Sequence, residues 1–251
     1  MWPWWVAAWA AAPWPTSSDA LVAVPLPADG PRRPVVLLSA GHAAGATNRG
    51  NTGVHGQLEE ETNLAAANDL AARLRALDRF DVVLAREGAE RPSYDERIQR
   101  ATAAGADLLL ELHTDVRGEL VPWAVGREGQ TIYRVDNDPG FSVLYNDHAA
   151  RADEREAVAV ALAESLSAAG FPAYLGADYV GLYEGHTTPG VYRDRRGLKM
   201  LRGPPMPSVI VETHSAVDFD ESLRFREART QEVFAAAVAA ALSRALDPVG
   251  P

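Results

Sequence analysis

The sequence contains no cysteine. It therefore has no disulfide framework, no thiol nucleophile and no thiolate ligand for a metal. Positive charge is also scarce. The chain carries 24 Lys and Arg against 34 Asp and Glu, a formal net charge of -10. Non-specific nucleic-acid binding needs clustered positive charge, so that class is set aside. A long apolar run is missing as well. The N-terminal stretch "MWPWWVAAWAAAPWP" is shorter than the ~20 residues a membrane-spanning helix needs, so no stable membrane span is expected. It ends in small residues, Ala10-Ala11-Ala12, as a signal-peptide cleavage region does, but it lacks a basic n-region. Two readings stay open for residues 1–19: an export signal, or an apolar tail that packs on the domain. Internal repeats and low-complexity segments are absent too.

What remains is a chain of 251 residues, 47% of them hydrophobic, which is enough for one substantial core. After a Pro-rich lead-in over residues 20–33, strands and helices alternate. Val35–Leu38 reads as a buried strand. Glu59–Leu77 carries Leu64, Ala67, Leu70, Leu74 and Leu77 at helical spacing. Phe80–Ala85 is a second strand. Ser93 and Glu96 form an S-x-x-E capping box that opens a helix ending near Gly105. Leu108–Leu112 is a third apolar strand. Nearly continuous apolar strands in a β-α-β-α-β order predict an α/β fold: a single mostly parallel twisted sheet with helices on both faces.

The second half is less regular. Gln130–Val135 reads as a strand and Asp136–Asp147 as a polar loop. Ala150–Ala169 reads as a helix closed by Gly170 and Pro172. Residues 176–207, rich in Gly, Pro, Tyr and Arg, give no clear assignment. Ser208–Thr213 ("SVIVET") is a further strand, and Ser222–Leu246 is an Ala-rich terminal helix.

In sheets of this type ligands gather at the carboxyl ends of the strands. His42 follows the first strand, His113 ends the third in "LLLELHTD", and Glu212 and His214 stand near the end of the last. Glu59 lies in the first turn of the helix after strand one. Two imidazoles and two carboxylates thus reach one edge. Two His and one Glu are a known catalytic zinc set that leaves a position open for water. On this reading His42, Glu59 and His113 hold the ion and Glu212 is free to move a proton. Each piece alone has a blander reading, since Glu59–Glu61 also suits the positive end of a helix dipole. Glu212 is harder to dismiss, because a carboxylate in an apolar strand needs a partner.

At this point the chain resembles the zinc-dependent N-acetylmuramoyl-L-alanine amidases (amidase type 3 catalytic domain) of bacterial cell-wall remodelling enzymes and phage endolysins. The resemblance rests on "LLSAGHAAG", "GVHGQLEEETNLAAANDLAARL", "DVVLAREGAERPSYDERIQRATAAGADLLLELHTD" and "GLKMLRGPPMPSVIVETHS", which come in the family's order. It implies that residues 34–247 are a catalytic domain. It implies one zinc ion on His42, Glu59 and His113, and Glu212 as the catalytic residue. Glu59 is chosen among three glutamates because it stands four before Asn63, with Glu60 as the fallback. Arg86 and Arg97 match family positions, and they also read as ion pairs tying strand two to the following helix. The implied reaction cleaves the amide between N-acetylmuramic acid and L-alanine of peptidoglycan, outside the cytoplasm (periplasmic or secreted). A monomer is expected, and a regulatory activator is admitted as a partner. Two alternatives stay open: a zinc amidohydrolase acting on a different amide, and a non-catalytic peptidoglycan-binding or regulatory domain.

The pattern also departs from the family. Asp-Pro usually precedes the Gly-His and Gly follows it; here Ser39-Ala40 and Ala43 stand there. Two readings stay open: the lost Asp removes a partner that tunes metal affinity, or Ser39 substitutes for it through its hydroxyl. His214 stands where an apolar residue is usual, and it reads as a hydrogen-bonding residue at the site, as a residue that binds the polymer, or as a loop cap. His55, before Glu59, is a candidate to line the site. His148 and His186 are not expected to be ligands.

Overall fold

A computed structural model describes residues 18–27, 32–45, 47–136, 139–176 and 179–246. The export-signal reading of residues 1–19 falls almost wholly outside them. Three parallel strands start the main sheet: β1 (Val35–Ala40), β2 (Asp81–Leu84) and β3 (Leu108–Asp115). Between them run α1 (Glu59–Ala76) and α2 (Tyr94–Ala103). Both halves of the Ser93/Glu96 capping box form. β3 and the preceding strands read as apolar runs because both faces of the sheet are covered.

The rest of the chain extends the sheet. The hairpin β4 (Val121–Val125) and β5 (Thr131–Arg134) stands apart as a two-stranded sheet. Then come β6 (Ser142–Tyr145), α3 (Ala152–Ala168), β7 (Tyr183–Gly185), β8 (Val191–Asp194), α4 (Lys199–Arg202) and β9 (Ser208–Ser215). The helices α5 (Phe219–Arg224) and α6 (Ala228–Leu246) close the chain. The strand order is β2-β1-β3-β9-β6-β8-β7, with β9–β6 and β8–β7 antiparallel and the other pairings parallel. The mostly parallel sheet is the one the sequence predicted.

Side chains alternate between two cores. Val36, Leu38, Leu108, Leu110, Val209 and Val211 face α1, α3 and α6. Leu37, Leu109, Leu144 and Ile210 face the other way, against α2 and α4. Small residues such as Ala159, Ala163, Ala237 and Ala241 let α3 and α6 pack closely.

Two expectations are corrected. Residues 142–145, expected within a loop, form the fully buried β6 in the middle of the sheet. The strand is four residues long and follows Gly140, whose positive φ and closeness to the Tyr174 backbone give the local turn composition that hides it. The terminal helix is also broken. Asp218 caps α5 by accepting from Glu221 N at 2.9 Å, and a tight turn at 225–227 separates α5 from α6. Phe225 in that turn packs on Phe171 and Phe234.

The loop entering β9 hangs on one side chain. Arg155 of α3 is fully buried and donates to the carbonyls of Ala150, Leu201, Pro204 and Met206 at 2.6–2.8 Å. Burial pushes its pKa down to about 10. Arg155→Met would leave those carbonyls unpaired, each a cost of ~1–3 kcal/mol. We expect a loss of roughly 3–5 kcal/mol in urea unfolding.

Candidate metal centre and active site

Strand order decides what meets at the edge. β1, β3 and β9 are adjacent and parallel, so His42, His113 and Glu212 emerge side by side at their carboxyl ends. Glu212 is the register partner of His113. The α1 helix returns over the sheet with its first residue, Glu59, at the same edge.

The turn after β1 is forced into shape. His42 and Ala43 adopt positive φ, 62° and 51°. Such conformations cost on the order of 1–3 kcal/mol for residues other than Gly. Gly41 N donates to Leu112 O at 2.8 Å and Ala43 N to Asn48 O at 2.6 Å, and Arg97 Nη2 donates to His42 O. Gly41 is required here, because a Cβ would sit 2.3 Å from the His113 ring. Gly50 plays the same part opposite, where a Cβ would lie 2.6 Å from both Glu59 and His42.

In this cradle His42 Nε2 lies 2.9 Å from Glu59 Oε2, and His113 Nδ1 lies 3.1 Å from Glu59 Oε1. One donor atom from each residue falls within 4.8 Å of the others, so the three could hold a metal ion. Each imidazole turns its other nitrogen to an oxygen. His42 Nδ1 donates to Asn48 Oδ1 at 2.8 Å, and His113 Nε2 stands 3.5 Å from Glu111 Oε2. Ligating histidines are commonly oriented in this way. Asn51 N (3.0 Å) and Asn63 Nδ2 (3.3 Å) donate to Glu59. Glu60 is taken up elsewhere, by Arg91 at 2.7 Å and Arg49 at 3.2 Å.

The charges fit a cation. Burial pushes the Glu59 carboxyl up, but hydrogen bonds and charge from His113 and His42 outweigh it and hold it far below the usual range. Burial lowers His113, but Glu111, Glu59 and Glu212 raise it well above its ordinary value. The metal-free chain thus binds a proton where a cation would sit. Glu212 is pushed up to about 8, first by burial and then by the Asp115 charge. Its Oε2 is buried with no hydrogen-bond partner among the described residues. A cleft of about 280 Å³ opens beside His42, Glu59 and His113, with Arg196 and Lys199 also lining it.

The other singled-out residues are placed as follows. Ser39 is fully buried beneath the centre and donates to Glu111 Oε1 at 2.8 Å. Arg86 donates to Glu60 O at 2.6 Å, anchoring the first turn of α1. Arg97, on α2, pairs with Glu111 of β3 and caps β1. Neither arginine therefore ties strand two to the following helix, as the sequence suggested. Arg100 does that, through Ala85 O at 2.9 Å. His55 packs on Phe219, with its Nε2 3.3 Å from Phe219 O. His148 is exposed, and His186 lies 3.1 Å from Glu156.

His214 lies on the opposite face from Glu212. The ladder steps from His113–Glu212 to Asp115–Ser215, so β9 holds one extra residue there. Such a bulge reverses the alternation. His214 stacks on Phe225 and lines a separate cavity of about 320 Å³ with Leu70 and Phe234. Sequence reasoning missed Glu111, Asn48 and Asn51. The signal that exposed Glu212, a carboxylate within an apolar strand, also marks Glu111 in "LLLELHTD".

A family model described as N-acetylmuramoyl-L-alanine amidase matches residues 36–244. The chain belongs to this family. Membership assigns the enzyme class: hydrolysis of the amide between N-acetylmuramic acid and L-alanine in peptidoglycan. Solved structures share the fold at low identity. The amidase Ami1 of Mycobacterium abscessus, in its apo form, superposes with a TM-score of 0.66 at 18% identity, over 86% of this chain and 99% of its own. Ami1 of Mycobacterium smegmatis gives 0.65 at 20% identity, over 87% and 99%. The CwlD amidase of Clostridioides difficile, solved in complex with the GerS lipoprotein, gives 0.59 at 16%, over 85% and 98%. No curated protein sequence matches the chain.

Burial, then the charges of Arg117 and Arg226, lowers the His214 pKa to about 3. The unfolded chain then binds one more proton below about 6.5, so stability is full above that pH and is lost as pH falls toward 3. His214→Phe, which keeps the stack on Phe225, should remove roughly 1.4 kcal/mol per pH unit from the slope between pH 6 and 4. Urea unfolding of the metal-free protein at several pH values reads this.

Proposed function

We propose that this amidase is zinc-dependent, with His42, Glu59 and His113 as ligands and Glu212 as the proton carrier. The observation that carries the reading is the His-Glu-His cradle, in which each imidazole presents one nitrogen to Glu59 and the other to a separate oxygen. Imidazole and carboxylate donors suit zinc. When bound, zinc supplies a Lewis acid for the amide carbonyl and makes water acidic enough to attack near neutral pH.

The remaining work falls to the chain. Glu212 takes the proton from the attacking water and delivers it to the alanine nitrogen as the C–N bond breaks. The products are the lactyl carboxylate and the free amine of L-alanine. A carboxyl raised toward neutrality can both accept and return a proton. Asn51 and Asn63 hold Glu59 in place, and Asn48 fixes the His42 ring. We further read residues 34–247 as the catalytic unit, acting as a monomer, and residues 1–19 as an export signal. Among the described residues no helix is long and apolar enough to cross a membrane. A substrate in the cell wall supports a periplasmic or secreted location, and the GerS-bound neighbour supports a regulatory protein partner.

The test is release of peptide from purified sacculi by the zinc-loaded protein. Glu212→Gln should keep stoichiometric zinc and lose ~10²–10⁴-fold in rate. Full activity of Glu212→Gln would remove its role, and zinc retained by His113→Ala would remove the ligand assignment.

The pH dependence of zinc binding follows from His113. Its pKa is raised well above the ordinary value by Glu111, Glu59 and Glu212, so zinc and a proton compete for the same imidazole. Zinc affinity, measured by chelator competition, should fall as pH drops, by up to roughly tenfold per pH unit once His113 is protonated in the metal-free chain.

A further inference from the structure

The missing carboxylate before Gly-His has a counterpart one strand away. Ser39 of β1 and Glu111 of β3 are register partners on adjacent parallel strands. They share a face of the sheet, and both are fully buried. Glu111 Oε1 accepts from Ser39 Oγ at 2.8 Å and from Arg97 Nη1 at 3.3 Å, while Oε2 lies 3.5 Å from His113 Nε2. The same Arg97 donates to Ala40 O at 2.7 Å and to His42 O.

We propose that Glu111 is the positioning residue of the metal centre, supplying from β3 a buried carboxylate beside position 39, where Ser39 is its register partner and hydroxyl donor. The proposal rests on the reading of His42, Glu59 and His113 as a metal site. Glu111 acts in two directions. Toward His113 its Oε2 stands 3.5 Å from Nε2, which favours a proton on that nitrogen and leaves Nδ1, the nitrogen facing Glu59, as the one able to ligate. Through Arg97 it steadies the carbonyl of His42, whose positive φ needs an external hold.

The small Ser39 belongs to the same arrangement. A serine at 39 leaves room for a longer side chain at 111 and offers it a hydroxyl donor. An aspartate at 39 beside Glu111 would place two buried carboxylates against one guanidinium. The two positions therefore should not vary independently.

The experiment is a double-mutant cycle on the zinc dissociation constant, read by chelator competition at fixed pH, with thermal unfolding of each metal-free variant recorded separately. Glu111→Ser should weaken zinc binding by about 10–100-fold. Ser39→Asp alone should also weaken it. The combined Ser39→Asp/Glu111→Ser variant should return to within about fivefold of the starting protein, because the carboxylate has only changed strands. If Glu111→Ser unfolds, Glu111→Gln keeps the volume, and at least tenfold weaker binding is expected of it. Unchanged affinity in Glu111→Gln, or a combined variant no better than Glu111→Ser, overturns the proposal. A starting protein that binds no zinc overturns the metal-site reading and this proposal together. Zinc lost by His113→Ala but kept by Glu111→Gln overturns this one alone.

Discussion

The buried ion pair between Arg97 and Glu111 lies near the carboxyl end of β1 and midway along β3, and both imidazole-bearing segments hang from it. Taking a guanidinium and a carboxylate out of water costs several kcal/mol per ion, and the pair is tolerable only if its remaining donors and acceptors are met. Here they are. Ser39, Ala40 O, His42 O and Pro92 O surround Arg97, and Ser39 and His113 face Glu111. The gain is geometric. A turn that places His42 at positive φ, just past a strand, would relax if its carbonyl were free to rotate toward solvent. Fixing that carbonyl from α2 holds the imidazole toward Glu59.

A second constraint is electrostatic. Glu59, Glu111 and Glu212 all raise the proton affinity of His113, while Asp115 raises that of Glu212. Four carboxylates thus bear on one strand end. Among the described residues only two guanidinium groups meet them, Arg97 at Glu111 and Arg117 at Asp115, while Arg91 and Arg49 serve Glu60 and Lys199 serves Asp95. Such a centre is short of positive charge by construction. A divalent ion on His42, Glu59 and His113 would meet the shortfall and lower the pKa of neighbouring carboxyls in turn.

How much of this was legible in the sequence follows from what each residue had to satisfy. β1, β3 and β9 read clearly because strands buried on both faces leave apolar runs, and α2 because its capping box is local. β6 did not, since four residues between turn signals carry no period long enough to detect. Arg97 was recognised as a notable position but paired with the wrong element, because its partner Glu111 is adjacent only through sheet order. Glu111 carried the same local mark as Glu212. What links it to Ser39 is the register of two adjacent strands; the two residues lie 72 apart in the chain and leave no local pattern.

β9 shows why the last step needed three dimensions. Glu212 and His214 are two residues apart, and strict alternation would send both toward the metal cradle. One extra residue in the ladder beside His113 separates them. Thr213 Oγ1 donates to His113 O at 3.1 Å across the irregularity and stands 2.9 Å from His214 Nδ1. The bulge therefore does two things with one residue. It leaves Glu212 in register with His113, and it turns the neighbouring imidazole into the opposite core, where burial keeps it neutral. An imidazole on that face would add a third histidine to the group that could hold an ion. The irregularity that looks like a defect in β9 is what keeps the centre at two histidines and one glutamate.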